Sequence, residues 1–259
     1  MNYTKLSLTE KDFGKHVYVF PKLDSTNKHL MDNHNDYPNH SVIIAESQTH
    51  GRGRLGRKWI DSPGTTLSMS ILLNPFPVHH IQTTPLVCGL CVRNALQKLT
   101  SGNIQLKWSN DVVVDNKKLC GILCESRIVK NSAFLVVGCG VNVAQTEDFF
   151  VNSDLEYGTS VKMMSGTEYN VMDVAKSILE SFDEYFPLFL KCGFEYFHDE
   201  YNSYCVNIDK YVSVSTQLSC AEGKVIEVDS EGNLIVEQNG TVTKIGCGEA
   251  SVRGMYGYC

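Results

Sequence analysis

The chain lacks any apolar run of the roughly 18–20 residues that a membrane-crossing helix needs. Its opening stretch, MNYTKLSLTEKDFGKH, lacks the apolar segment of a secretory signal, and Glu10 and Asp12 argue against a transit peptide. A basic excess is also missing. The formal net charge is −6, the opposite of what a general nucleic-acid binder carries, so any anion binding must come from a local cluster. No internal repeat and no low-complexity tract interrupts the sequence. These absences point to a protein of a reducing compartment, expected in the cytoplasm, with neither nucleic acid nor membrane as a partner.

What is present is an ordinary folding composition. Over 259 residues, 42% are apolar and 20% charged, enough for one large core plus a small second one. Ten cysteines invite a metal or redox reading through the pairs Cys88/Cys91 and Cys120/Cys124. The first pair lies in an apolar stretch that reads as a buried helix, and the second shares one strand face. With no His or Cys cluster beside them, core thiols are the better account, and no metal-ligating set is assigned.

Along the chain, His16 to Phe20 reads as a strand. Asp24 or Ser25 then caps a helix through about Asn33. Ser41 to Glu46 and Thr66 to Leu73 read as strands around a Gly- and Arg-rich break, Ser47 to Pro63. Ile81 to Leu99 has helical spacing. Ile104 to Trp108, Asp111 to Asp115 and Leu119 to Glu125 are β-rich, with a turn at Asn116-Lys117 and a strand end at Glu125. Ala133 to Val143 is a strand carrying Gly138 and Gly140, and Val171 to Leu190 is a helix, extended after Gly193 by Phe194 to Tyr204. From Val206 the texture changes to short strands at Tyr211–Val214, Gly223–Val228, Asn233–Gln238 and Thr241–Ile245. Asn239-Gly240 between two of them is a strong hairpin signal. The expected architecture is α+β: a mixed sheet with packing helices over 1–205, then a small all-β barrel over 206–259.

Two constellations carry chemistry. The window Ser47 to Ile60 holds Arg52, Arg54, Arg57 and Lys58 with no acid, together with Gly51, Gly53 and Gly56. Glycine exposes backbone N–H groups and arginine supplies a planar fork, so the segment is an anion cradle on an acidic protein. It also spells G-x-G-x-x-G, but no acid follows the downstream strand and two arginines crowd the turn, so a dinucleotide fold is rejected. A Walker A loop fails because Arg57-Lys58 follows Gly56. An exposed basic loop that touches RNA is the plain alternative. The second constellation is Lys107-Trp108-Ser109-Asn110-Asp111 ahead of the hairpin, with Lys117-Lys118 at its turn and Gly121 on the returning strand. Solvated hairpin lysines are the plain reading here, and a bulge is the plain reading of Gly138-Cys139-Gly140.

Taken jointly and in order, these pieces resemble the biotin–protein ligase family. They are Ser25-Thr26-Asn27, Gln48, GRGRLGRKW from Gly51 to Trp59, Lys107 to Asp111, Lys118 to Glu125, Gly138 to Asn142, and a closing GCGEASVRG from Gly246 to Gly254. The resemblance spans roughly residues 20–254. It implies a biotin/lipoate ligase-like catalytic domain and an SH3-like barrel. It further implies a ligase that forms biotinyl-5′-AMP from biotin and ATP with Mg2+, then passes biotin to a lysine on the biotin acceptor domain of a carboxylase. By the same resemblance, Ser25, Thr26, Asn27, Gln48, Gly51, Arg52, Gly53, Arg54, Lys118 and Gly121 would hold biotin. Arg54, Arg57, Trp59, Lys107, Asn110 and Asn142 would surround ATP or the adenylate. Arg52, Arg54, Lys118 and Asp111 would carry the chemistry, with Asp111 orienting or deprotonating the incoming lysine. Ser109 replaces the family's proline, which is expected to loosen a turn. A lipoate–protein ligase is the nearest alternative, although its loop typically reads Arg-Arg-x-Ser-Gly-Gly-Gly. A biotin-responsive repressor would need a helix-turn-helix domain ahead of the first core strand, where only about twenty residues stand. A non-catalytic scaffold ranks last. Monomer and homodimer both stay open.

Overall fold

The computed structural model describes residues 2–130, 132–215, 220–247, 251–254 and 258–259. An eight-stranded mixed sheet forms the body. Its strands are β1 (Thr4–Leu6), β2 (Val17–Phe20), β3 (Val42–Ala45), β4 (Thr66–Phe76), β5 (Ile104–Lys107), β6 (Asp111–Val114), β7 (Lys117–Val129) and β8 (Ser132–Asn142), in the order β1-β2-β3-β4-β8-β7-β6-β5. Only the β2–β3 pair is parallel, with Val17 opposite Val42. Helix α1 (Thr26–Asn33) packs on one face. Helices α2 (Thr84–Leu99) and α5 (Val171–Cys192) cover the other, with the short α3 (Glu147–Asn152), α4 (Val161–Ser165) and α6 (His198–Tyr204) around them. Sequence patterning explains the layering. Strand β8 is buried from Ala133 through Cys139 because both of its faces are roofed. In α5, Val174, Ile178, Phe182, Phe186 and Phe189 recur at helical spacing and close the larger core. Leu30, Phe20 and Phe134 form a smaller core under α1.

The five strands β9 (Tyr211–Ser215), β10 (Cys220–Val228), β11 (Leu234–Gln238), β12 (Thr241–Ile245) and β13 (Ser251–Gly254) form a second, antiparallel sheet in the order β12-β11-β10-β9-β13. The Asn239-Gly240 hairpin is present, with both residues at positive φ and Gln238 paired to Thr241. Trp108 ties this sheet to the first, since its indole Nε1 donates to the Gly232 carbonyl at 3.1 Å.

Several expectations need correction. The β6–β7 turn is Asp115-Asn116, at φ 49° and 60°, and Lys117 already belongs to β7. That strand runs past Glu125 to Val129. No bulge lies at Gly138 or Gly140, which pair in register with Leu123 and Gly121. Strand β1 precedes His16, so the sheet starts earlier than the patterning suggests. In the closing Gly246–Gly254 segment, residues 248–250 lie outside the described residues. Cys88, Cys91, Cys120, Cys124, Cys139, Cys192, Cys205, Cys247 and Cys259 are free thiols.

Candidate active site

The site grows from the middle strands. Three glycines line neighbouring positions on β7 and β8, and each leaves room that a methyl would fill. A Cβ on Gly138 would stand 2.2 Å from Asn27 Oδ1, and one on Gly140 would stand 2.5 Å from the Trp59 indole. A Cβ on Gly121 would meet the tip of Lys118 at 3.0 Å. The floor of the site is therefore backbone, and side chains from α1 and from the Gly-Arg loop settle directly on it.

Over Gly138, the first turn of α1 supplies a buried polar network. Ser25 caps the helix, its hydroxyl accepting from Lys28 N at 3.5 Å. Thr26 N donates to Gln48 Oε1 at 2.9 Å, and Gln48 Nε2 donates to Ser68 Oγ at 3.1 Å. Asn27 Nδ2 donates to the Leu123 carbonyl at 3.1 Å and to Glu125 Oε2 at 2.9 Å, while Ser70 Oγ lies 2.6 Å from Asn27 Oδ1. Burial makes such a network rigid, because each unmet polar group would cost about 1–3 kcal/mol.

The Gly51–Trp59 segment is a closed loop. Trp59 N donates to the Gly51 carbonyl at 2.9 Å, Gly53 N to the Arg57 carbonyl at 2.8 Å, and Leu55 and Gly56 turn the chain at φ 53° and 73°. Gly51 is forced by its neighbours, since a Cβ there would lie 2.3 Å from the Trp59 carbonyl. It supports the loop and does not line the cavity, unlike the other residues expected around biotin. Arg52 pairs with Glu125 at 2.9 Å across a partly exposed surface. Arg54 is drawn inward, with Nη1 donating to Ser109 Oγ at 2.6 Å and to Asn110 Oδ1 at 2.7 Å. Ser109 also donates to the Cys247 carbonyl at 3.1 Å. Where the family resemblance suggests a loosened turn, this serine fastens the turn to the second sheet.

Two adjoining cavities result. The smaller, about 60 Å³, is lined by Thr26, Asn27, Gln48, Ser68, Gly121 and Gly138 among others. The larger, about 350 Å³, carries all six positions expected around the nucleotide: Arg54, Arg57, Trp59, Lys107, Asn110 and Asn142. Gly53, Arg54, Trp59, Asn110 and Lys118 border both. Lys118 Nζ lies 2.7 Å from Asp111 Oδ1 and 5.8 Å from the Trp59 ring. Lys118 and Asp111 therefore form an ion pair. Burial pushes the Asp111 carboxyl up, but the Lys118 cation, the Tyr258 hydroxyl and Lys107 outweigh it and hold the pKa below the ordinary value. Lys107 is 5% exposed, and burial brings its pKa down to about 8 against the opposing pull of Asp111. Among the described residues, nothing accepts the buried Trp59 Nε1–H.

Tyr157 and Tyr258, which sequence reasoning missed, line the larger cavity with Arg253, which it placed in the closing motif without a role. Residues 144–170 carry too little periodicity to be read, and Tyr258 lies beyond the last motif. Among the described residues, no group of three or more His, Cys, Asp or Glu is placed to hold a metal ion. No helix among them is long and apolar enough to cross a membrane.

A buried polar pocket and a cationic cavity meet at a lysine, and comparisons with solved structures show the biotin protein ligase fold around them. The biotin/lipoate A/B protein ligase family model matches residues 19–142 of the chain. The bifunctional ligase/repressor BirA of Bacillus subtilis is 27% identical over 245 residues, covering 93% of this chain and 75% of that one. The biotin protein ligase from Aquifex aeolicus, solved with biotin and ATP, is 29% identical with a TM-score of 0.81, covering 92% of this chain and 98% of that one. The Leishmania major biotin protein ligase, solved with biotinyl-5-AMP, shares the fold at 19% identity and a TM-score of 0.59.

Proposed function

We propose that the chain is a biotin–protein ligase that joins biotin to AMP and then transfers biotin to a lysine of a carboxylase's biotin acceptor domain. The observation that carries this reading is the meeting of the two cavities at Lys118. The small pocket offers neutral donors and acceptors matched to a compact, uncharged ring system, with Arg52 and Lys118 at its mouth for a carboxylate. The larger one offers Lys107, Arg57 and Arg253 for a triphosphate, and Trp59 as an apolar wall with a spare donor. Magnesium enters as the counter-ion of the triphosphate, as part of the co-substrate.

In the first step a carboxylate oxygen attacks the α-phosphorus, the new O–P bond forms and pyrophosphate leaves. Two anions must approach each other, and a fixed cation between them lowers that barrier. Lys118 stands in that position. Arg54 is tied to Ser109 and Asn110, so it holds the Lys107–Asp111 segment in place and adds positive field from there. Arg52 is shared with Glu125, and a ligand carboxylate would compete for it. In the second step the acceptor amine attacks the acyl carbon, the acyl–oxygen bond breaks and AMP departs. Asp111, kept ionised beside Lys118, receives the amine's proton.

Offering radiolabelled biotin and lipoate side by side, with ATP and a carrier domain, tests the assignment. Biotin should be transferred and lipoate should not. Equal transfer of both would overturn it.

A further inference from the structure

Among the described residues, Tyr258 is the aromatic side chain hydrogen-bonded to Asp111. Its Oη donates to Asp111 Oδ2, its ring lies 3.4 Å from Lys107 Nζ, and it stacks on Tyr157 with centroids 5.6 Å apart and planes 23° from parallel. The backbone beyond it is fitted as closely. A Cβ on Gly254 would stand 1.8 Å from the Cys259 carbonyl oxygen, so only glycine at that end of β13 lets residues 258–259 fold back against the strand. The phenol therefore occupies Asp111 Oδ2 at the wall of the larger cavity, which Asp111 and Tyr258 both line.

A lysine ammonium and a phenol hydroxyl are interchangeable donors to a carboxylate. We propose that Tyr258 is a gate on Asp111: it occupies the carboxylate that the acceptor lysine must reach, and it keeps water from that carboxylate while the acyl-adenylate waits. With the gate open and no acceptor present, water beside Asp111 attacks the acyl carbon. A new C–O bond restores the free carboxyl group, the acyl–oxygen bond to phosphate breaks, AMP keeps the electron pair, and the proton lost by water passes to Asp111. With the gate closed, Asp111 has no water to accept a proton from. The acceptor opens the gate by exchanging its lysine for the Tyr258 hydroxyl, so transfer and protection exclude each other. This inference rests on the proposed role of Asp111.

The test uses the full chain. Adenylate is formed on the enzyme from biotin and α-labelled ATP, excess nucleotide is removed, and bound adenylate and released AMP are followed without acceptor. Tyr258→Ala should shorten the life of the bound adenylate about tenfold, the worth of one hydrogen bond to a charged group. Tyr258→Phe, which keeps the ring as a cover, should fall between. Gly254→Ala, which displaces the segment without touching the phenol, should behave like Tyr258→Ala. In Tyr258→Ala the KM for the carrier domain should drop, a change that general loosening of the fold would not give. Adenylate as long-lived as wild type in both Tyr258→Ala and Gly254→Ala overturns the gate. Asp111→Asn separates the two claims. If it transfers biotin at the wild-type rate, the reading of Asp111 fails. If it slows transfer while the Tyr258 variants protect adenylate normally, the gate alone fails.

Discussion

Replacing Gly140 by alanine should cost activity far more than stability. The added methyl would stand 2.5, 2.7 and 2.9 Å from Trp59 Cε2, Cζ2 and Cδ2. Carbon atoms in ordinary contact sit about 3.5–4.0 Å apart, so the indole must retreat by about 1 Å. Strand β8 is fixed between β4 and β7 and cannot give, whereas Trp59 belongs to a loop anchored at Gly51. The ring therefore moves and carries the boundary between the two cavities with it. A 1 Å misplacement of a substrate-positioning group costs about 100-fold, or about 2.7 kcal/mol of barrier. Because the loop relieves the clash, the loss of folding stability should stay below about 1 kcal/mol, under the usual range for overpacking. Biotin-dependent pyrophosphate release gives the first number and urea unfolding the second. A Gly140→Ala enzyme with kcat/KM within about threefold of wild type would refute the claim that the glycine strip sets the ring's position.

Further consequences follow from the same geometry. Asp111→Asn should slow transfer to the carrier domain more than adenylate formation, and single-turnover assays of each step with equal losses would remove Asp111 from the second step. Asn27→Ala strips partners from Ser70 and Glu125 in a buried network and should lower stability by about 1–3 kcal/mol in urea, with a raised KM for biotin. Burial raises the Cys120 thiol above its ordinary 9.0. Its contribution to stability is therefore intact below pH 9 and lost as pH rises above it. Between pH 8 and 10 the wild type should lose about 1.4 kcal/mol more than Cys120→Ser, read from urea midpoints.

Much of this arrangement was legible because function and fold press on the same residues. Gly138 and Gly140 interrupt an otherwise apolar strand, and the physical cause is a pair of side chains lying on the backbone. Ser25 was legible as a cap because capping is local, and the Asn239-Gly240 turn for the same reason. The division of labour among the arginines was not legible. Nothing in GRGRLGRKW says that Arg54 turns inward to Ser109 while Arg52 turns out to Glu125, since both partners lie more than fifty positions away. The packing demand on Gly51, where a Cβ would stand 2.3 Å from the Trp59 carbonyl, was not legible either. Tyr157 and Tyr258 stack on each other at the site, and no periodic pattern in the sequence announces either.

The central claim is that Lys118 sits where a carboxylate and an α-phosphate are brought together. It is tested most directly by pyrophosphate release from ATP on addition of biotin, without acceptor, in wild type, Lys118→Ala and Arg54→Ala. The structure predicts a biotin-dependent burst of about one pyrophosphate per enzyme in wild type, as bound adenylate accumulates. Lys118→Ala should slow it at least about 100-fold, and Arg54→Ala should slow it by less, through loss of its grip on Ser109 and Asn110. Release that does not depend on biotin, or that is unchanged in both variants, would contradict the account.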